Sequence, residues 1–226
     1  MAGKKQSKGN CAYCDKELSK GGMSKHLTSC KARQTAIEKA ATKKGATETL
    51  YHLRIQDAYR PEFWLNLEMR GSKKLQNLDD YLRAIWLECC GHLSEFSLGG
   101  FQNAVGMSRT IDRVFSDADK ILHTYDFGTS SETLIKRVGR REGKPLSAKP
   151  IVLMARNNPP AETCIECSQP ATHLCIECMY TDEIRGILCD QHAETHPHNN
   201  YGDPVELINS PRLGMCGYGG PADPPY

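Results

Sequence analysis

Twelve cysteine and histidine side chains stand in six close pairs, and no other feature limits so strongly what this 226-residue chain can fold into. The pairs are Cys11-x2-Cys14, His26-x3-Cys30, Cys164-x2-Cys167, Cys175-x2-Cys178, Cys189-x2-His192 and His196-x-His198. A Cys-x2-Cys turn aims two thiolates at one point, and a second pair completes a tetrahedral set. The start of the chain is Lys-rich and lacks an apolar signal region. Its longest purely apolar runs, such as Ile151 to Ala155, are far too short to span a bilayer. These features predict a cytoplasmic protein with reduced thiols, where such pairs are metal ligands before they are disulfides. Thiolate and imidazole donors together favour zinc.

The pairs divide the chain. Residues 1–33 hold the first two, and His26 and Cys30, four apart, are expected to share one helix face. Residues 34–48 are Ala/Lys/Thr-rich and read as a helix tail running into a linker. The other four pairs lie in residues 157–226, after the breaker Asn157-Asn158-Pro159-Pro160. Segments this small have little core of their own, so metal is expected to hold them folded. Charge follows the same division. Residues 1–48 carry 11 Lys+Arg against 4 Asp+Glu, a balance of +7, whereas residues 161–226 carry 2 against 10, a balance of −8. Opposite charge at the two ends predicts different partners: at the N-terminus either non-specific nucleic acid, through Lys20, Lys25, Lys31 and Arg33 among the lysines from Lys4, Lys5 and Lys8 to Lys39, or a solvated arm with no partner, and a protein at the acidic C-terminus.

Residues 49–156 show strand alternation in Tyr51, Leu53 and Ile55 and again in Phe63, Leu65, Leu67 and Met69, with a turn at Arg60-Pro61. Leu75, Leu78, Leu82, Ile85, Trp86 and Cys89 fall at helical spacing and predict roughly four turns of amphipathic helix, with Cys89, Trp64 and Trp86 in the core. Leu93–Leu98, Leu122–Phe127, Thr133–Val138 and Ile151–Ala155 are further strand candidates. The expected fold class is α+β: a central, mainly antiparallel sheet with one packed helix, flanked by two small zinc-binding modules.

Three resemblances add to this. Residues 11–30, with Leu18 and Met23 as the small core, resemble a ββα zinc finger whose last His is replaced by Cys and whose loop is one residue short. That likeness puts Ser19, Gly22 and Lys25 at the base-contact positions, and Gly22 has no side chain to read with. The four C-terminal pairs resemble the cross-brace of B-box-type domains. The resemblance implies Cys164, Cys167, Cys189 and His192 around one ion and Cys175, Cys178, His196 and His198 around another; sequential pairing is the alternative, with Cys216 a substitute for one histidine of the second site. His173 reads as a packed or exposed side chain. About three zinc ions are expected in all. The middle domain resembles the family named after the third open reading frame of plasmid pRiA4b, through Tyr51-His52-Leu53-Arg54-Ile55, Arg60-Pro61-Glu62-Phe63-Trp64, His92-Leu93-Ser94-Glu95-Phe96 and Tyr125-Asp126-Phe127-Gly128. Where the family continues with Asp, Trp, Glu and His, this chain has Thr129, Ser131, Glu132 and Thr133. The resemblance implies a link to plasmids or mobile elements and no defined chemistry.

The zinc sets have the full four ligands of structural sites, and no His-Glu-x-x-His or phosphate-binding Gly-x4-Gly-Lys occurs. The leading expectation is therefore a non-enzymatic zinc-binding interaction or adaptor protein with no catalytic residues. The alternatives are a nucleic-acid-associated factor working through the basic finger, and an enzyme whose polar site would draw on His92, Glu95, Asp126 and Glu132.

Overall fold

Strand β4 (Trp64–Arg70) is buried along its whole length as far as Met69. Alternation sends Leu65, Leu67 and Met69 to one side of a sheet and Trp64, Asn66 and Glu68 to the other. Both sides of this strand therefore need cover, and they receive it from different parts of the chain. The computed structural model describes residues 7–87, 91–99 and 103–221; Lys4, Lys5 and Cys89 lie outside the described residues.

The first side faces the main core. There β3 (Glu48–Asp57) adds Tyr51, Leu53 and Ile55, and α3 (Leu75–Leu82) adds Leu75, Leu78 and Leu82. The four-turn helix expected here changes character. A π-helical turn, Arg83–Leu87, follows α3, and three consecutive residues in it, Ile85, Trp86 and Leu87, are all buried. Strands β5 (Ser94–Ser97), β6 (Ala104–Val105), β7 (Lys120–Tyr125), β8 (Ser131–Gly143) and β9 (Ile151–Asn157) complete the central domain. A second helix, α4 (Ile111–Asp117), which the sequence reading did not anticipate, buries Ile111, Val114 and Phe115 in the same core.

The second side is covered by the N-terminal segment. Here β1 (Lys8–Cys11) and β2 (Glu17–Ser19) form a hairpin, followed by α1 (Lys20–Ser29) and α2 (Lys31–Ala41). Strand β1 also pairs with β9, from Gly9↔Asn157 to Cys11↔Ala155. The finger is thus the end of the sheet rather than a separate flank. One nine-stranded antiparallel sheet runs β2-β1-β9-β4-β3-β8-β7-β5-β6. Gly9 makes the junction possible, because a Cβ there would stand 2.1 Å from the Arg156 carbonyl oxygen and 2.7 Å from the Trp64 ring. Residues 34–48, expected as helix tail and linker, hold most of α2 and lead straight into β3.

After β9 the C-terminal segment folds around β10 (His173–Leu174), α5 (Ile176–Tyr180), β11 (Ile187–Leu188), α6 (Asp190–Thr195) and β12 (Val205–Glu206), with a small sheet in the order β11-β10-β12. Leu174, Ile187 and Leu213 join the main core, so this module is also seated on the central domain. The α+β class holds. No helix among the described residues is long and apolar enough to cross a membrane.

Candidate metal centres

Each Cys-x2-Cys pair brings both sulfurs to one group, Cys175 from the N-cap and Cys178 from the first turn of α5. The turn at Cys11 and Cys14 is closed by the Asp15 N–H, which donates to the Cys11 carbonyl at 2.8 Å. His26 comes from the last turns of α1. Cys30 does not share the helix face with His26, as the spacing suggested. It sits in an extended link (φ −65°, ψ 112°) between α1 and α2. The link still carries its sulfur to 3.7 Å from Cys14 Sγ and 4.0 Å from Cys11 Sγ, while His26 Nε2 lies 3.3 Å from Cys14 Sγ.

The C-terminal pairs interleave. Cys164, Cys167, Cys189 and His192 converge, with Cys167 Sγ 3.8 Å from Cys189 Sγ and His192 Nδ1 3.5 Å from Cys164 Sγ. Cys175, Cys178, His196 and His198 form the other group, with His196 Nε2 3.2 Å and His198 Nδ1 3.3 Å from Cys178 Sγ. First pair with third and second with fourth is the grouping that the cross-brace resemblance implied; the sequential alternative is not what the chain adopts. Gly186 permits it: at φ +55° the backbone passes over the Cys175 turn where a Cβ would meet the Cys175 carbonyl oxygen at 2.5 Å.

In all three groups the donor atoms lie within 4.8 Å of one another. Tetrahedral zinc with bonds of about 2.3 Å to sulfur sets its sulfurs about 3.8 Å apart, close to the separations observed. Disulfides would need about 2 Å, and these cysteines are free. Electrostatics agree. Burial pushes the Cys11 thiol up to about 11, and burial with the neighbouring Cys175 pushes Cys178 up to about 12. Thiolates there call for a cation's field. At Cys164 burial acts the same way, but the N–H groups of Cys189, Glu166 and Cys167 outweigh it and hold the thiol at about 6. Outside the ligands, Glu177 accepts the Asn200 N–H at 2.9 Å, and Asp182 lies 3.6 Å from His198 Nε2, the nitrogen turned away from the sulfurs. Three Cys/His groups able to hold metal ions are thus part of the fold.

Cys216 is not among them. It sits at φ +59° with its sulfur 3.8 Å from Arg212 Nη2. His173 is also apart, with its Nδ1 2.9 Å from the Thr172 hydroxyl. The four residues expected as a polar site divide. His92 Nδ1 lies 3.6 Å from Asp126 Oδ2, which also takes a bond from Arg212 at 3.1 Å. Glu95 and Glu132 pair in register with Thr124, one step from Tyr125 and hence on the opposite sheet face. Glu132 there accepts the Tyr59 hydroxyl.

The basic residues divide likewise. Helix α1 packs on the sheet through Lys20, Met23, Ser24 and Leu27, the i, i+3, i+4, i+7 stripe. Lys20 donates to Gln56 and to the Pro61 carbonyl. Arg33 is only 9% exposed and donates to Glu68 at 2.8 Å and to the Leu27 carbonyl at 2.9 Å. These two are corrected from surface contacts to internal ones. Lys25 and Lys31 remain exposed, and Lys25 is the one outward-facing residue of the three finger positions.

Sequence reasoning missed the polar layer beneath the finger. Glu68 is 3% exposed and bonded to Arg33 and to Arg141, the latter at 2.6 and 2.9 Å. Asn66 Oδ1 accepts from Ser24 at 3.1 Å and lies 2.8 Å from His52 Nε2. On the core side, Asp79 is bonded by His123, Ser94 and Arg83. The available signal was Asn66 and Glu68 inside a strand whose other residues are almost all apolar.

No protein-family model matches the chain, and no curated protein matches it. A solved structure of a protein of unknown function from Methanosarcina mazei Go1 is similar over 50% of this chain and 72% of that chain, with 18% identity and a TM-score of 0.42. What defines this chain is its own geometry: an α+β frame built on a nine-stranded antiparallel sheet, bearing three Cys/His groups able to hold metal ions.

Proposed function

We propose that the chain is a non-enzymatic zinc-binding interaction protein whose C-terminal module engages a protein partner. The observation that carries this reading is where the apolar surface lies. Of the eight large hydrophobic side chains exposed among the described residues, four (Ile165, Tyr180, Ile184 and Tyr201) belong to the metal-bearing C-terminal module. Tyr180 and Tyr201 stack at 5.8 Å. Exposed aromatic and aliphatic side chains grouped on one module mark association surfaces, and the acidic surroundings disfavour nucleic acid there. Each metal group has four donors, which supports structural rather than catalytic ions. With this goes the inference, resting on the sequence stretches quoted above, that residues 49–156 belong to the pRiA4b family and share its association with mobile elements.

The test has two parts. Native mass spectrometry should find three zinc ions per chain. Crosslinking in cells should then trap a protein on the wild-type chain that the Ile184→Ser, Tyr201→Ser double variant fails to trap. Fewer than three ions would remove the metal half of the reading. Identical crosslinks from both chains would remove the partner half.

A further inference from the structure

Strand β8 outruns its neighbour. It pairs with β3 as far as Glu48↔Gly143, but with β7 only as far as Lys120↔Lys136. From Val138 to Gly143 it therefore has a partner strand on one side alone among the described residues. Beside this free edge, in line with the start of β7, lies a groove of about 610 Å³ lined by residues 136–140 together with Asp119 and Lys120. The void is where β7 would run if it were longer.

The groove is cationic. Arg137 is paired with Asp119, but Lys120, Lys136 and Arg140 have no ion-pair partner among the described residues. Lys136 lies opposite Arg54, on the outer face, and a bulge at Val138 then shifts the phase, so that Arg140 lies opposite Tyr51, on the core face. Positive charge therefore flanks the edge above and below. The two terminal edges of the sheet, β2 and β6, are three and two residues long, the usual protection against strand addition. This internal edge has six residues, so shortness does not protect it; its bulge and basic side chains guard it against flat apolar strands but not against an acidic one.

The geometry points to a binding site for an extended, acidic peptide segment of a partner protein, added as a strand antiparallel to Val138–Gly143 with its carboxylates between Lys120, Lys136 and Arg140. Backbone pairing supplies the docking, and charge selects the segment. The site uses neither the metal groups nor the C-terminal surface, so it stands or falls apart from the function proposed above.

The probe is a fluorescein-labelled peptide, Val-Glu-Glu-Thr-Glu-Glu-Val-Thr, titrated against the full chain. Saturable binding is expected, with hydrogen-exchange protection gained at the amides of 138–143. The triple variant Lys120→Glu, Lys136→Glu, Arg140→Glu changes exposed or half-exposed side chains and should weaken binding by more than about tenfold, or 1.4 kcal/mol. A peptide with proline at alternate positions should not bind. No saturation up to roughly millimolar peptide overturns the proposal. Equal binding of the proline peptide, or binding without protection at 138–143, leaves charge attraction alone and overturns strand addition. Tighter, competitive binding of an oligothymidylate assigns the groove to nucleic acid instead.

Discussion

The two ends of the chain carry the same kind of donor set in unlike surroundings. The N-terminal group lies in a cluster with Met23, Leu27, Trp64 and Met154, and Trp64 and Met154 belong to the central sheet. Beneath it, Glu68 ties α2 to β4 and β8 through Arg33 and Arg141. The C-terminal group has an inner cluster made of Cys164, Cys175, Cys178, Cys189 and one leucine, Leu188. A metal-free N-terminal end is therefore expected to keep a packed core, whereas a metal-free C-terminal end should lose its inner cluster and keep only Leu174, Ile187 and Leu213 against the main core. Ligand spacing alone does not reveal this difference.

The largest expected effect tests the contrast directly. Treating the chain with a strong chelator, or making Cys178→Ser, should release residues 161–200 to rapid amide exchange and proteolysis, since structural zinc contributes about 10 kcal/mol or more to such modules. Amides of β3 and β4 should stay protected, and α1 should stay docked. Equal melting of both ends would break the comparison. Next in size is Glu68→Leu, which takes the carboxylate from the buried Arg33 and the part-buried Arg141 and should cost about 3 kcal/mol, read as a fall in Tm with all metal retained. Loss of the N-terminal ion on this change would show that docking and metal binding are one event.

A third effect is pH-dependent. Burial lowers the pKa of His52 from 6.5 to about 4, against the raising effect of its bond to Asn66. The folded state thus binds this proton less readily than the unfolded state does. Stability is whole above the unfolded value and should fall by about 3 kcal/mol as pH drops from 6.5 to 4. Because the metal ligands also take up protons there, the measurement is the difference between wild type and His52→Gln in denaturant titrations across that range; parallel curves would refute it. The smallest effect is expected of Cys216→Ser, which should leave the metal count unchanged and stability within about 0.5 kcal/mol. A lost ion would place Cys216 in a centre after all.

The sequence displayed the three Cys/His groups well, because a pairing of Cys and His at short spacing has few other uses. It displayed the strands too: the alternations at Tyr51–Ile55 and Leu65–Met69 became β3 and β4. What it hid was the second side of β4. Asn66 and Glu68 read as solvent-facing in any single strand, and only the helix pair α1–α2, folded back across the sheet, makes them interior. Arg33 and Lys20 were misjudged for the same reason, since a basic residue on a short helix shows no sign of which face is docked. Helix α4 escaped notice because seven residues give too little periodicity to detect.

Gly9 meets Asn157 across the sheet, so β1 and the strand that receives it lie 148 positions apart along the chain. On the ribosome the finger is made early, yet its docking strand appears only when two thirds of the chain has been synthesised. Until then the apolar side of α1 can meet Trp64 of β4 but not Met154 and Ala155 of β9, so its cover stays incomplete through most of translation. A nascent chain halted before Ile151 should therefore recruit holding chaperones through Met23 and Leu27, and one released after Asn157 should let them go.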